Sequence, residues 1–401
     1  MSIYRIQAKT QSYDWGKLGD VSKVAHFAQK SGTQVDPSKP YAELWMGTHP
    51  NAPSLVMNDA QTPLKDLIQD RPELSTEAIY KQYNGDLPFL FKILSIRKAL
   101  SIQAHPDKAL GARLYRDFPN NYKDPNHKPE MTIALTPFEA LCGFRPLEEI
   151  NQHLSQYPEL AALAGTNTFN ISSDEAANKA ELKKIFDSLM NSTDADVAAQ
   201  IQNLTSRLQG SDAFMDQLLL RLDSQYPGGD VGVFAALLLN YVELAPGQGM
   251  FLGANEPHAY LSGDCVECMA ASDNVVRAGL TPKFKDVKVL VEMLTYKYGS
   301  AESQKMKPEP FGSHSLLYDP PIEEFSVLAT SLNAGEREQH KPIAGPSILI
   351  VTRGSGKLTG EQLKTESDFD LEEGYVYFIG ANTPIAAEAS TSLEFYRAFA
   401  Q

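Results

Sequence analysis

Two short runs of apolar residues set the fold class, Leu87-Pro-Phe-Leu-Phe-Lys-Ile-Leu94 and Leu100-Ser-Ile-Gln-Ala-His-Pro106. Each run is rich in aliphatic or aromatic residues and contains proline, which is typical of short β-strands between turns. The same pattern returns beyond residue 310, where Ile348-Leu-Ile-Val351 precedes Arg353-Gly-Ser-Gly356. Both ends of the chain are therefore expected to be mostly β.

The middle of the chain has a different character. From 147 to about 225 glycine and proline become rare, and apolar residues recur at helical spacing, as Ile201, Leu204 and Leu208 do. Asp174 followed by Glu175 has the composition of a helix start. Residues 147–227 are therefore predicted to be an all-helical insertion. A short apolar helix over 231–239 and a strand over 241–244 are expected to follow it.

Many short strands with glycine turns, interrupted by a helical block, predict a mostly β fold with an α insertion. We expect two jelly-roll β-barrel domains plus an all-helical domain. The first barrel would combine residues 1–146 with 228–309, and residues 310–401 would form the second.

The overall charge argues against one large class of partners. The chain has 401 residues, of which 42% are hydrophobic and 21% charged, an ordinary globular composition. Its 36 Lys and Arg against 50 Asp and Glu give a net charge of −14. Such a field repels phosphate polymers, so nucleic acid is not an expected partner, although a few local cations can still bind a small anion.

Cysteine content and hydropathy predict a cytoplasmic protein. The chain has three cysteines, Cys142, Cys265 and Cys268, too few for a disulfide framework and typical of a reducing compartment. Cys265-Val-Glu-Cys268 lacks the second pair of a zinc ribbon, so no metal is expected there. The start of the chain carries no apolar signal segment, and no apolar stretch is long enough to span a membrane. Nothing in the charge predicts a dimer, so a monomer is expected.

Four residues have the chemistry of metal ligands. Gln103 and His105 stand two apart, and on a strand both side chains would project from one face toward the same ion. Glu130 follows, and His258 lies far downstream. On spacing alone, a strand histidine near a glutamine is more often a hydrogen-bonded polar pair than part of a ligand set.

Longer motifs surround these residues. They are Tyr41-Ala-Glu-Leu-Trp-Met-Gly-Thr-His-Pro50, Ser101-Ile-Gln-Ala-His-Pro106, Tyr122-Lys-Asp-Pro-Asn-His-Lys-Pro-Glu130, Ala140-Leu-Cys-Gly-Phe-Arg-Pro146, and the segment from Pro257 to Lys283. In content and order they resemble the type I mannose-6-phosphate isomerase (phosphomannose isomerase) family. The resemblance is closest to the eukaryotic-like members, which carry a helical insertion.

The resemblance implies a cupin-type architecture with one zinc ion per chain, held by Gln103, His105, Glu130 and His258. Two imidazoles, a carboxylate and an amide oxygen suit Zn²⁺. The implied reaction interconverts D-mannose 6-phosphate and D-fructose 6-phosphate by moving a proton between C1 and C2 through an enediol. The implied partner is a small sugar phosphate, and the implied role is to feed GDP-mannose synthesis.

This reaction needs a base, a group that stabilises the enediolate and a site for the phosphate. The resemblance assigns an active-site role to Arg277, whose permanent charge can stabilise an enediolate or bind phosphate. The candidates for the base are His127, Lys128, Glu267 and Asp273, and the choice among them stays open. The expected substrate-binding residues are Ser101 and Lys283 for the phosphate, Trp15 as a wall for the sugar, and Tyr260 and Glu43.

Several of these residues also have a structural interpretation. Trp15 can belong to the core, Glu43 can support the region around Trp45, and Lys283 can be a solvated surface residue. His127 can orient a neighbouring ligand instead of moving a proton. If the segment around Glu267 is a strand, its side chain faces the site and the cysteine that follows it faces away.

Two other functions stay open. A different metal-dependent cupin enzyme, such as an Fe²⁺ dioxygenase, usually has an H-x-H pair, whereas this chain has Gln103 and His105. The second alternative is a sugar-phosphate-binding module without activity. Every position mapped from the family is present, which argues against that second alternative.

Overall fold

The chain folds into sheets at both ends and helices in the middle. The structure is a computed structural model that describes residues 2–57, 61–359 and 369–401, without the side chain of Asp20. These residues form 25 β-strands, 11 α-helices and three short 3₁₀ helices. A sheet-rich fold with a helical block is therefore confirmed. The predicted ranges 1–146 and 310–401 also contain residues outside this description.

The strands fall into two groups. The first group is β1 Ile3–Gln7, β2 Lys9–Gln11, β3 Lys17–Leu18, β4 Pro40–Tyr41, β5 Glu43–Met46, β6 Leu55–Val56, β7 Phe89–Ile96, β8 Ile102–Ala104, β9 Glu130–Ala134, β10 Phe138–Phe144, β11 Leu239–Leu244, β12 Gly249–Leu252, β13 His258–Ala270, β14 Val276–Gly279 and β15 Lys305–Met306. The second group is β16 Glu309–Pro310, β17 Ser315–Tyr318, β18 Ser326–Leu332, β19 Arg337–His340, β20 Ser347–Arg353, β21 Ser355–Thr359, β22 Phe369–Glu372, β23 Val376–Ile379, β24 Ile385–Ala389 and β25 Leu393–Phe399.

Five of the 11 α-helices are in neither of the two predicted helical regions, which are the helical block and the short helix expected after it. The 11 helices are α1 Lys23–Lys30, α2 Leu64–Asp70, α3 Glu77–Tyr83, α4 Lys108–Asp117, α5 Leu147–Gln156, α6 Pro158–Ala164, α7 Glu175–Met190, α8 Asp194–Leu208, α9 Phe214–Gln225, α10 Gly232–Ala235 and α11 Val287–Met293. The sequence pattern missed α1 to α4 and α11, which are short helices between strands. Among the described helices, none is both long and apolar enough to cross a membrane.

The helical block follows its sequence signals closely. The Asp174 carboxylate accepts a hydrogen bond from the backbone N–H of Ala176 at 2.9 Å, so the predicted helix start is confirmed. Leu182 and Leu189 of α7 are buried in the same core as Leu204 of α8. The helix expected over 231–239 is shorter than predicted, because the chain from Leu239 onward pairs with β10.

The sheets stack in layers. The four-stranded sheet β19-β24-β21-β22 packs on the eight-stranded sheet β16-β17-β18-β25-β20-β23-β1-β6 through a core that includes Leu358 and Phe395. The other face of the eight-stranded sheet packs on an eleven-stranded sheet, where Ile350 and Phe91 share a core. The main path of that sheet is β15-β12-β9-β13-β7-β5-β2.

Two features of the pairing were not predicted. Strand β1 pairs with β23, so residues near the start of the chain complete the C-terminal sheet. The pairings of the described strands give sheets with open ends, so the two closed β-barrels expected from the sequence are not found among them.

Candidate active site

A buried cluster of two histidines and a glutamate lies where three strand ends meet. His105 follows β8, Glu130 begins β9 and His258 begins β13. His105 Nε2 lies 3.3 Å from Glu130 Oε1, and His258 Nε2 lies 3.5 Å from Glu130 Oε2. One ligand atom from each residue falls within 4.8 Å of the others, so the three can share one ion.

Backbone carbonyl groups orient both imidazoles. His105 Nδ1 lies 2.7 Å from the carbonyl oxygen of Asn274, and His258 Nδ1 lies 3.1 Å from that of Glu256. A carbonyl oxygen only accepts, so each Nδ1 carries a proton and donates it. Each Nε2 is buried and has no hydrogen-bond partner among the described residues. Two unpartnered nitrogen lone pairs beside a carboxylate have the donor chemistry that a divalent metal needs.

The electrostatics of the cluster favour its metal-binding protonation state. Burial lowers the pKa of His105 to about 4, so the imidazole is neutral near neutral pH. Burial alone would raise the pKa of Glu130, but its contacts with His105 and with the Lys128 ammonium hold that pKa well below its usual range. Neutral imidazoles with an ionised carboxylate are the forms that coordinate a cation.

Gln103 connects the cluster to Arg277. On β8, Gln103 is opposite His258 of β13 on one side and opposite Arg277 of β14 on the other. The strand pairing thus brings together three residues that are far apart in the sequence.

A cleft of about 710 Å³ opens beside the cluster. Tyr13 and Trp15 stack at a ring distance of 5.7 Å and form part of its wall. The charged residues that line it are the cations Lys92, Lys98, Lys128, Arg277 and Lys283 and the acids Asp14, Glu43 and Asp273. The cations outnumber the acids here although the whole chain carries −14, so the cleft suits a small anion.

A buried ion network supports one side of the cleft. Lys92 Nζ lies 3.5 Å from Glu43 Oε2 and 3.3 Å from Glu267 Oε2, and Trp45 Nε1 donates to Glu43. Burial raises the pKa of Glu267 to about 7, although the Lys92 charge opposes the shift. Burial disfavours the charge of Lys92, but the two carboxylates raise its pKa above the usual value.

Asp273 and Lys128 border the cleft with further charged contacts. Asp273 Oδ1 lies 3.8 Å from His49 Nε2, and the His49 ring meets the Trp45 ring edge to face at 4.9 Å. Lys128 Nζ lies 3.3 Å from Glu130 Oε1, so this lysine links the cleft to the histidine–glutamate cluster.

Three models of one family match the chain in order. They are the phosphomannose isomerase type I catalytic domain over residues 3–147, the helical insertion domain over 150–239 and the C-terminal part over 315–360. The chain belongs to the type I phosphomannose isomerase family. The resemblance seen in the sequence motifs is therefore confirmed.

Curated relatives and solved structures agree with this membership. Mannose-6-phosphate isomerase from Schizosaccharomyces pombe is 45% identical over 100% of both chains. That from Saccharomyces cerevisiae is 46% identical over 100% of this chain and 99% of its own. A crystal structure of a phosphomannose isomerase mutant from Salmonella typhimurium has a TM-score of 0.86 at 31% identity, and one of mannose 6-phosphate isomerase bound with zinc and yttrium has 0.86 at 32%. Both structures and this chain match over their full lengths.

In this family member, most of the sequence-predicted residues meet at one place. The predicted metal ligands His105, Glu130 and His258 form the cluster. The predicted residues that line the cleft are Trp15, Glu43, Ser101, Gln103, Lys128, Asp273, Arg277 and Lys283.

Outside the histidine–glutamate cluster, three predicted residues do not line the cleft. Tyr260 and Glu267 are buried and do not line it. Glu267 is on the same side of β13 as Met269, which lines the cleft, and it contacts the cleft residue Lys92, whereas Cys268 faces the core between the sheets. His127 Nε2 lies 2.5 Å from Glu324 Oε1 and is directed to the C-terminal part of the chain.

Lys92 is the main residue of the site that the sequence analysis missed. It lies inside an apolar run and was interpreted only as part of a strand. A single lysine inside an apolar run is itself a signal, because a lysine buried with such a strand needs carboxylate partners. All eight residues of β7 are buried. The lining residues Tyr13, Asp14 and Lys98 carried no comparable signal.

Proposed function

We propose that this chain is a zinc-dependent isomerase that interconverts D-mannose 6-phosphate and D-fructose 6-phosphate. The observation that carries the proposal is the buried cluster of His105, Glu130 and His258, with two unpartnered nitrogens, beside a cleft with an excess of cations. The choice of substrate is supported by the relatives of about 45% identity over the full chain, which are mannose-6-phosphate isomerases.

The donor set fits zinc. His105, Glu130 and His258 would hold the ion, with Gln103 as the fourth ligand from the neighbouring strand position. When bound, Zn²⁺ supplies a Lewis acid of net charge near +1 that favours negative charge on sugar oxygens.

The cleft provides groups for both ends of the substrate. Lys283 and Ser101 line it and would bind the phosphate, while Trp15 would cover the sugar ring. Arg277 is half-buried, and burial lowers the pKa of its guanidinium, which stays charged at neutral pH. Its charge would stabilise the enediolate.

The isomerisation moves two protons. A base removes the C2 proton of the aldose and returns a proton to C1, while the proton on O2 is transferred to O1. Of the four candidate bases, Lys128 and Asp273 line the cleft, so we assign the transfer to one of these two. Glu267 would act indirectly through Lys92, and His127 would hold the chain segment that carries Lys128.

We also propose the finer features that the family resemblance implies. The two β regions would be cupin domains, made of 1–146 with 228–309 and of 310–401, and 147–227 would be the helical domain. The protein would act as a cytoplasmic monomer with one zinc ion, and its product would feed GDP-mannose synthesis.

The test compares His105→Ala with His26→Ala, a half-exposed histidine that pairs with Glu373. The first variant should lose bound zinc and the conversion of mannose 6-phosphate together, and the second should keep both. Full turnover of a zinc-free His105→Ala protein would exclude the zinc mechanism. A folded, zinc-loaded native chain without turnover would indicate the sugar-phosphate-binding module, and iron as the resident metal would favour the dioxygenase.

A further inference from the structure

Five polar side chains meet inside the C-terminal part of the fold, far in sequence from the cleft residues. They come from five strands and lie at one end of the apolar core between the four- and eight-stranded sheets. Arg397 is 0% exposed and His340 is 1% exposed. The members of this polar cluster are Ser315 of β17, Thr330 of β18, His340 of β19, Ser347 of β20 and Arg397 of β25.

The Arg397 guanidinium is only partly bonded. Its Nε donates to Ser347 Oγ at 2.9 Å, and its Nη1 lies 3.5 Å from His340 Nδ1. Its Nη2 is buried and has no hydrogen-bond partner among the described residues. An unpartnered guanidinium nitrogen in a protein core is costly, because it has lost its water without replacement.

The neighbours of Arg397 supply further donors. Guanidinium groups cannot accept, so His340 Nδ1 accepts from Arg397 and the ring proton sits on Nε2. That Nε2 lies 3.1 Å from the hydroxyls of both Ser315 and Thr330, which are 2.8 Å apart. If Nε2 donates to one hydroxyl and that hydroxyl donates to the other, one hydroxyl proton is left over. The cluster therefore has more donors than acceptors.

The charge of Arg397 is also unbalanced. Within the described residues no carboxylate forms an ion pair with it, and burial is the one cause that lowers its pKa, to about 9. Glu338 faces the same side of β19 as His340, but its carboxylate accepts from the backbone N–H of His314 at 2.9 Å. Burial first, and then the Arg397 charge, lower the pKa of His340 to about 3, so His340 is neutral.

We propose that this polar cluster is a binding site for one halide-sized inorganic monoanion, chloride under physiological conditions, held by Arg397 Nη2. A single negative charge balances the single guanidinium, whereas a dianion would leave a net charge in the apolar core. The site is independent of the proposed isomerase function, and its expected role is to stabilise the packing of the two C-terminal sheets.

The direct test is crystallography of the full-length zinc-loaded protein with bromide in place of chloride. The expected result is an anomalous difference peak within contact distance of Arg397 Nη2. A water molecule at that position, with no anomalous signal at full bromide exchange, would overturn the proposal.

Thermal unfolding gives a second test that does not require crystals. When chloride replaces gluconate at constant ionic strength, the native protein should gain about 2 °C or more in Tm. Arg397→Met removes the charge at similar length and should abolish the gain. In gluconate this variant should be at least as stable as the native chain, because no uncompensated charge is buried.

The matched control is Arg353→Met on the same sheet, whose side chain is 57% exposed and pairs with Glu394. It should keep the full chloride response. Equal chloride responses in Arg397→Met and the native chain would overturn the proposal. If Arg397→Met does not fold, the bromide experiment on the native chain decides.

Discussion

Arg277 shows how a single side chain gains its function from its strand pairing. It lies opposite Gln103, which is in turn opposite His258, so its charge reaches the cleft next to the metal-binding cluster. In a half-buried position, a fixed positive charge interacts more strongly with a developing anion than it would in water.

We expect Arg277→Ala to keep its zinc and lose turnover by about 10²- to 10³-fold, the usual loss when one stabilising donor is removed. Zinc content and steady-state kinetics measure the two effects separately. The control is Arg116→Ala, an arginine whose side chain is 72% exposed, and it should behave as the native chain does. Normal kcat and KM in Arg277→Ala would make Arg277 a structural residue.

Site residues could be predicted from the sequence where a motif contains them. Gln103, His105, Glu130 and His258 could be named from the sequence because the motifs carry them. The direction of the His127 side chain could not be predicted, because it depends on a hydrogen bond to Glu324 from a distant part of the chain.

At the scale of elements, the segment after β14 forms one wall of the cleft through Leu280, Thr281 and Lys283. Asp230 holds this segment. Its Oδ1 accepts from the N–H of Leu280 at 2.7 Å, and its Oδ2 accepts from the N–H of Thr281 at 2.9 Å. Leu280 has a φ of +52°, a conformation that a leucine keeps only when its surroundings hold it.

We expect Asp230→Asn to raise KM for mannose 6-phosphate by about tenfold, while kcat and zinc content change little. Asp230 accepts from three backbone N–H groups, those of Gly232, Leu280 and Thr281. The amide replaces one of its two oxygens with a donor, so at least one of these bonds is lost, and one lost charged hydrogen bond corresponds to about 1.4 kcal/mol. Asp174→Asn is the control, because asparagine caps α7 as well as aspartate does. An unchanged KM would show that the segment does not depend on Asp230.

A second element-scale contact links the segment before β9 to the C-terminal part. Glu324 Oε1 lies 2.5 Å from His127 Nε2 and 3.2 Å from Lys108 Nζ. Burial opposes ionisation of Glu324, but His127 and then Lys108 hold its pKa at about 2, below the usual 4.5.

The pH dependence of Glu324→Gln follows from this shift. Between pH 4.5 and pH 2 the folded chain binds fewer protons at this site than the unfolded chain, so stability from Glu324 is complete above about pH 4.5 and is lost as pH falls toward 2. We expect the variant to be about 2 kcal/mol less stable at pH 7, with a difference that shrinks below pH 4.5. Denaturant unfolding at several pH values measures it. Glu323→Gln, at the exposed neighbouring residue, should show no such difference, and a pH-independent difference for Glu324→Gln would contradict the account.

Some elements are determined by local interactions and others by contacts between distant parts of the chain. Helix α7 begins at Asp174 because the cap is a local interaction, so the pattern predicted it. Strand β1 pairs with β23 through contacts between opposite ends of the chain, and no local pattern reports such a pairing. Asp230 escaped prediction for the same reason, since its partners follow a different strand.

At the scale of the whole molecule, the layers separate two kinds of buried polar site. The cleft and the histidine–glutamate cluster belong to the eleven-stranded sheet and its connections, where carboxylates balance Lys92 and Lys128. The Arg397 cluster lies between the other two sheets and has no such balance among the described residues. The overall charge of −14 predicts neither site, because both depend on local cations.

The central claim is that the cleft isomerises a phosphosugar with the help of zinc. The most direct measurement is the rate of conversion of mannose 6-phosphate to fructose 6-phosphate by the full chain, before chelation, after complete metal removal and after addition of Zn²⁺. The account predicts turnover that disappears with the metal and returns with Zn²⁺. Turnover that is indifferent to complete metal removal, or absent from a folded, zinc-loaded chain, would contradict it.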